Sequence, residues 1–248
     1  MKNLDVIALG ELLIDFTENG FSANGNPLLE ANPGGAPCNV LAMLQNLGKK
    51  TAFIGKVGKD AFGDYLKDTV CQVGIDVTNL IQDATVPTTL AFVHTAADGD
   101  RSFSFYREPG ADMMLSESEI DYSQIADAKI FHFGTLSMTH DGVRAATIKA
   151  VDYAKEHGLL ISFDPNYRPL LWKKEEAAKE MIRYGCSVCD ILKISDDEIN
   201  DFAFISQKLD EISLAVDSLN LWVDKTASEN DLNVTLLREE KERLKKQK

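Results

Sequence analysis

Asp15 lies in an otherwise apolar run, Leu12-Leu13-Ile14-Asp15-Phe16, where a carboxylate is costly unless it accepts hydrogen bonds. The hydroxyls of a bound polyol are suitable donors, and a turn or capping role is the alternative. Further on, Pro33-Gly34-Gly35-Ala36-Pro37-Cys38-Asn39 sets two glycines ahead of a helical spacing, Val40, Leu41, Leu44 and Leu47, that Gly48 closes. The pair either brings the backbone close to a ligand or makes a tight turn. In the alternating run 101–107, Phe103 and Phe105 share a face and either cover a ligand or pack in a core. Arg107, at its end, can reach an anionic or hydroxylated group. Asp164-Pro165-Asn166-Tyr167-Arg168 gathers acceptor, mixed and donor chemistry, and Lys193, within the apolar run 190–194, needs a partner. Binding of a small polar molecule is the chemistry these residues share.

The elements that must position them follow from periodicity. A buried strand over 4–10, a helix after Gly35, a strand over 51–58 and a helix from Asp60 to Gly74 alternate as in a parallel sheet with crossovers. The period then changes: 88–95 and 101–106 read as strands around Asp98-Gly99, a hairpin signal, and suggest a small separate sheet acting as a lid. The first rhythm resumes with a strand over 129–133, a helix over 141–157, a strand over 159–163, a helix over 174–183 and a strand over 190–194. The loop 164–168 thus falls at the carboxyl end of a parallel strand, where open α/β sheets bind ligands. After Gly185 there is no glycine, and the chain becomes helical in spacing and then densely charged. The expected division is an α/β domain over 1–199, with its lid from about 12–32 and 87–108, and a helical, charged segment of unrelated character over 200–248.

A net charge of -13 over 248 residues argues against a nucleic-acid or anionic-membrane partner. The first six residues are too short and charged for a signal peptide, and no apolar run approaches the roughly 18 to 20 residues that span a bilayer, so a cytoplasmic protein is expected. The four cysteines make no disulfide scaffold. Cys186 and Cys189 are expected between a helix ending near Gly185 and the strand starting at Asp190, rather than at the helix start that activates a thiol. The four histidines have no metal-ligand spacing, and the sequence holds no Walker-type phosphate loop.

Taken together, residues 1 to about 199 resemble the PfkB (ribokinase-like) carbohydrate kinases, in their fructokinase and 2-keto-3-deoxygluconate kinase branches. The matching pieces are Gly10-Glu11 with Ile14-Asp15-Phe16, the run 33–39, Gly55-x-Val57-Gly58-x-Asp60-x-Phe62-Gly63, and the run 101–107 with Pro109-Gly110-Ala111-Asp112. The run 164–168 with Leu171-Trp172 and Leu192-Lys193-x-Ser195-x-x-Glu198 complete them in order. The resemblance implies a ribokinase-like three-layer α/β/α sandwich with a small β-sheet lid, incomplete at its C-terminus, and phosphorylation of a sugar's primary hydroxyl by ATP with Mg²⁺. It implies that Asp15, Gly34, Gly35 and Asn39 hold sugar hydroxyls, that Phe103, Phe105 and Arg107 reach the sugar from the lid, and that Asn166 and Arg168 act with them toward the phosphate. Lys193 and Glu198 would lie on the phosphate and metal side, with neither a direct metal ligand. Pairing of two copies through the lid is a further expectation, apart from what the resemblance implies. The family's catalytic Asp sits in a late Gly-Ala-Gly-Asp element that this sequence lacks. The expectations are therefore a kinase by family with little turnover of its own or, alternatively, a non-catalytic sugar-binding or dimerising module. Leu41 also stands where the family favours a small residue.

Overall fold

A computed structural model describes residues 2–95 and 101–202. The chain divides into two compact units, Met1–Glu198 and Ile199–Lys248, and the site belongs to the first. The expected hairpin turn at Asp98-Gly99 and the expected helices and tail beyond 202 lie outside the described residues.

The chain runs β1 (Leu4–Leu9), β2 (Leu13–Phe21), β3 (Pro27–Gly34), α1 (Ala36–Asn46), β4 (Thr51–Gly58), α2 (Ala61–Val73), β5 (Asp76–Asp83), β6 (Leu90–Thr95) and β7 (Arg101–Tyr106). It continues with α3 (Tyr122–Ala126), β8 (Ala128–Gly134), α4 (Asp141–Glu156), β9 (Leu160–Asp164), α5 (Glu175–Val188), β10 (Ile191–Leu192) and α6 (Asp196–Asp201). Six strands form one sheet in the order β10-β9-β8-β1-β4-β5, every neighbouring pair parallel. Its centre is apolar on both faces, as strands between two helical layers must be. Val6 and Ala8 of β1 belong to a core with Leu41 of α1, Phe53 and Val57 of β4, and Leu66 and Val70 of α2. Ile7 and Leu9, which point the other way, are equally buried.

Local chemistry fixes the helix ends. The Asp60 side chain accepts from the amides of Phe62 and Gly63 at 3.1 and 2.8 Å and starts α2, and Gly74, left-handed at φ 98°, stops it. In α5, Gly185 lies against the Phe163 ring, so that only a residue without Cβ lets this helix approach β9. That helix runs on to Val188, which corrects the expected end near Gly185: Cys186 is a buried residue of its last turn and Cys189 caps it. The final strand is also shorter than expected, and Lys193 follows β10 rather than lying inside it.

A second sheet has the order β3-β2-β6-β7, with β2 antiparallel to β3 and parallel to β6, and β6 antiparallel to β7. Periodicity left β3 and β5 unassigned. The first is exposed over its first half and carries no alternation, while the second is tied in through Lys56, whose buried ammonium meets Asp83 at 3.1 Å and Glu119 at 2.8 Å. Among the described residues, no helix is long and apolar enough to cross a membrane.

Candidate sugar-binding cleft

Four strands of the main sheet end at the same place. Glu11 follows β1, Leu136 follows β8, Asp164 closes β9 and Lys193 follows β10. Together with Leu13 and Asp15 of β2, the start of α1 from Gly35 to Val40, Phe103 and Phe105 of β7, and Asn166 and Arg168, they line a cavity of about 350 Å³. This is the position at which open parallel sheets take ligands, because loops diverge there and leave a crevice.

Each side chain reaches the cavity for a local reason. The pairing of Asp15 with Asn32 and of Leu13 with Gly34 brings β3 across β2, and a Cβ at Gly34 would run into the Asp15 carboxylate. Burial raises the Asp15 pKa, and the Arg168 guanidinium opposes the rise. Gly35 turns the chain at φ 126° with its Cα against the backbone carbonyl of Glu11, a conformation and a fit that exclude a side chain. Pro37 is tolerated in the first turn of the helix that follows, and Asn39 projects exposed from that turn. On β7, Phe103 and Phe105 are half-buried while Ser102, Ser104 and Tyr106 on the opposite face are exposed. The two rings stack at 6.0 Å, and the Arg168 guanidinium lies 5.9 Å from the Phe103 centroid, a cation–π contact that joins the strand-end loop to the small sheet. Asn166 holds its loop at φ 42°, and its amide donates to Asp164 at 3.2 Å. The Lys193 ammonium sits 3.1 Å from the Asp164 carboxylate while its side chain stays 62% exposed, and burial nevertheless raises the Asp164 pKa.

Eight of the eleven residues singled out from sequence therefore border one cavity: Asp15, Gly35, Asn39, Phe103, Phe105, Asn166, Arg168 and Lys193. Gly34 stands behind Asp15. Arg107 is placed elsewhere: it borders a neighbouring cavity of about 500 Å³ that shares Phe105. Its buried guanidinium is fully used, with Asp112 at 2.6 Å, the Thr139 hydroxyl at 2.8 Å and the Leu136 carbonyl at 2.9 Å. Glu198 is likewise committed, one oxygen accepting from the Tyr167 amide at 2.7 Å and the other from the amide and hydroxyl of Ser195 at 2.9 and 2.8 Å. Glu11 and Leu136 were given no role from sequence. A charged residue two positions after the apolar run Val6-Ile7-Ala8-Leu9 was the available sign for Glu11.

A cavity of this size at the strand ends, walled by carboxylates, amides and cations and roofed by aromatic rings, defines the class: an α/β protein with a cleft for a small polar ligand. A family model, the pfkB family of carbohydrate kinases, matches residues 3–227. Fructokinase-2 of Solanum lycopersicum is 41% identical over 219 residues, which cover 88% of this chain and 65% of that protein. Probable fructokinase-7 of Arabidopsis thaliana is 44% identical over 196 residues, 78% of this chain and 57% of its own length. Among solved structures, a fructokinase from Xylella fastidiosa superposes with a TM-score of 0.78 at 33% identity, covering 85% of this chain and 67% of that one. The same enzyme with bound ATP gives 0.77 at 33% identity, over 86% and 65%. The chain belongs to the pfkB family of carbohydrate kinases and has its ribokinase-like fold. It spans less than two thirds of the length of these plant relatives.

Proposed function

We propose that this chain carries the sugar side of a fructokinase-like cleft, in which the primary hydroxyl of a sugar receives a phosphoryl group from ATP with Mg²⁺. The observation that carries the reading is the convergence of Asp15, Asn39, Asn166 and Arg168 on one cavity beneath Phe103 and Phe105. Carboxylate, amide and guanidinium groups match the donors and acceptors of a polyol, and aromatic faces suit its C–H surface. Fructokinases among the relatives, one of them solved with ATP, support the choice of fructose and of ATP. The exposed Lys193 ammonium is the group suited to a phosphate. Glu198, with both oxygens occupied, suits shaping the strand-end loop, and no metal-ligating cluster of three or more His, Cys, Asp or Glu gathers among the described residues. Mg²⁺ ordinarily takes one or two carboxylates together with phosphate and water, so in this reading it arrives with the nucleotide. The free thiols suit a reducing cytoplasmic setting.

Calorimetric titration of the chain with fructose tests the reading. Binding is expected to be lost in Asp15→Ala, and no binding of fructose to the unsubstituted chain overturns the reading. Titration with 2-keto-3-deoxygluconate identifies the alternative substrate, whose carboxylate would pair with Arg168. In an ADP-coupled assay the 248 residues should turn over little or no fructose. The Gly-Ala-Gly-Asp element is not among them, and general-base help is worth about 10²–10⁴ in rate. Family-typical turnover would contradict that expectation.

One further observation favours an assembly role beside sugar binding. The small sheet carries exposed apolar side chains, Phe21 at 75%, Tyr106 at 67%, and Leu28 and Leu29 at 45% each, a surface that suits pairing with a second copy of this chain.

A further inference from the structure

The first turn of α1 faces the cleft, yet its N-terminal residue Gly35 has no side chain with which to cap it. The cap comes from outside the helix. The Glu11 carboxylate, 3% exposed, accepts from the Ala36 amide at 2.8 Å, and the Glu11 backbone carbonyl touches the place a Cβ of Gly35 would fill. Gly35 in turn accepts from the Asn39 amide at 3.0 Å, the first intrahelical bond. One residue after β1 thus holds a turn that supplies Gly35, Ala36, Asn39 and Val40 to the cavity wall.

The geometry points to Glu11 as a positioning residue for the sugar: its carboxyl caps α1 and so sets where the Gly35–Ala36 backbone and the Asn39 side chain stand in the cleft. This rests on the sugar-binding reading above. An anionic group at a helix start is favoured by the unpaired amides and the helix dipole, and at this start the protein itself supplies it. The charged groups whose fields reach Glu11 are Arg107 and Asp112, the buried Cys38 thiol feels its charge in turn, and Asp15, Asp164, Lys193 and Arg168 stand around the same cavity. Its burial pushes its pKa up to about 7, which provides a signature at that amide.

Fructose titrations of the unsubstituted chain, E11Q and E11A, each paired with a thermal melt and the amide nitrogen resonance of Ala36 from pH 5 to 9, test the inference. The Gln variant keeps an acceptor of the same length, so its affinity should stay within about threefold of the unsubstituted chain, while the Ala36 resonance loses its titration. E11A should bind about tenfold or more weakly, the effect of a cap left unmade. Should E11A lack a cooperative melt, E11D carries the test, because it keeps the charge but withdraws it from Ala36; weakened binding in a folded E11D supports the inference. Unchanged affinity in E11A or E11D, equal weakening in E11Q and E11A, or an Ala36 resonance that titrates alike with and without the carboxyl overturns it. Absence of fructose binding by the unsubstituted chain overturns it together with the sugar-binding reading, whereas binding unaffected by the variants overturns the inference alone.

Discussion

At the scale of single residues, the cleft is shaped as much by missing side chains as by present ones. Gly35→Ala places a Cβ against the Glu11 carbonyl at a φ of 126°, and a left-handed strain of order 1–3 kcal/mol with overpacking of similar size is expected. Chemical denaturation should show a loss of about 2 kcal/mol or more, and a loss below about 0.5 kcal/mol would mean that the turn adapts. The glycines, like Asp15, were legible in the sequence because each breaks a local rule: a carboxylate among Leu, Ile and Phe, and adjacent glycines before a helical pattern. Arg107 was legible only as a cation at a strand end. Its use depends on Asp112, Thr139 and the Leu136 carbonyl, and no local rule brings residues so spread along the chain to one guanidinium.

At the scale of elements, that guanidinium is a buried tie between β7 and the main body, beside the Arg168 contact with Phe103. It reaches from the end of the strand to Asp112, which also accepts from the Thr89 hydroxyl just before β6, and to the segment after β8. Arg107→Met leaves Asp112 buried without its partner, and breaking a buried pair from one side costs about 3–5 kcal/mol. Urea unfolding of the variant should show a loss of that order, and a loss under about 1 kcal/mol would mean that water replaces the guanidinium. The alternation of β1, α1, β4 and α2 was legible because its two strands carry long apolar stretches and its helices carry strong punctuation, Asp60 and Gly74 among it. The third strand was not, since it sits at a sheet edge and its pairing with β2 is decided by partners rather than by pattern. The short β10 was over-extended because apolar residues flank Lys193 on both sides, although only Ile191 and Leu192 pair with β9.

At the scale of the whole molecule, the apolar side chains on the small sheet make an assembly prediction. Sedimentation velocity should give twice the 27.4 kDa chain mass at micromolar concentration, and Phe21→Asp combined with Leu29→Asp should return it to the single-chain mass. An unsubstituted chain that sediments as one copy at every concentration would refute pairing through this sheet. The same sheet bears on the order of events in folding. Asp15 is held by a parallel pairing of β2 with β6, Asp15 opposite Ala91, and the chain between them contains β4, α2 and β5 of the main sheet. A parallel partner that far along the chain is gained only after a long loop has closed, which slows its formation. By the same measure the local β2–β3 hairpin, which sets Asp15 opposite Asn32, is expected to form ahead of the β2–β6 pairing that brings up β7, so that the carboxylate is in place before the aromatic rings that roof it.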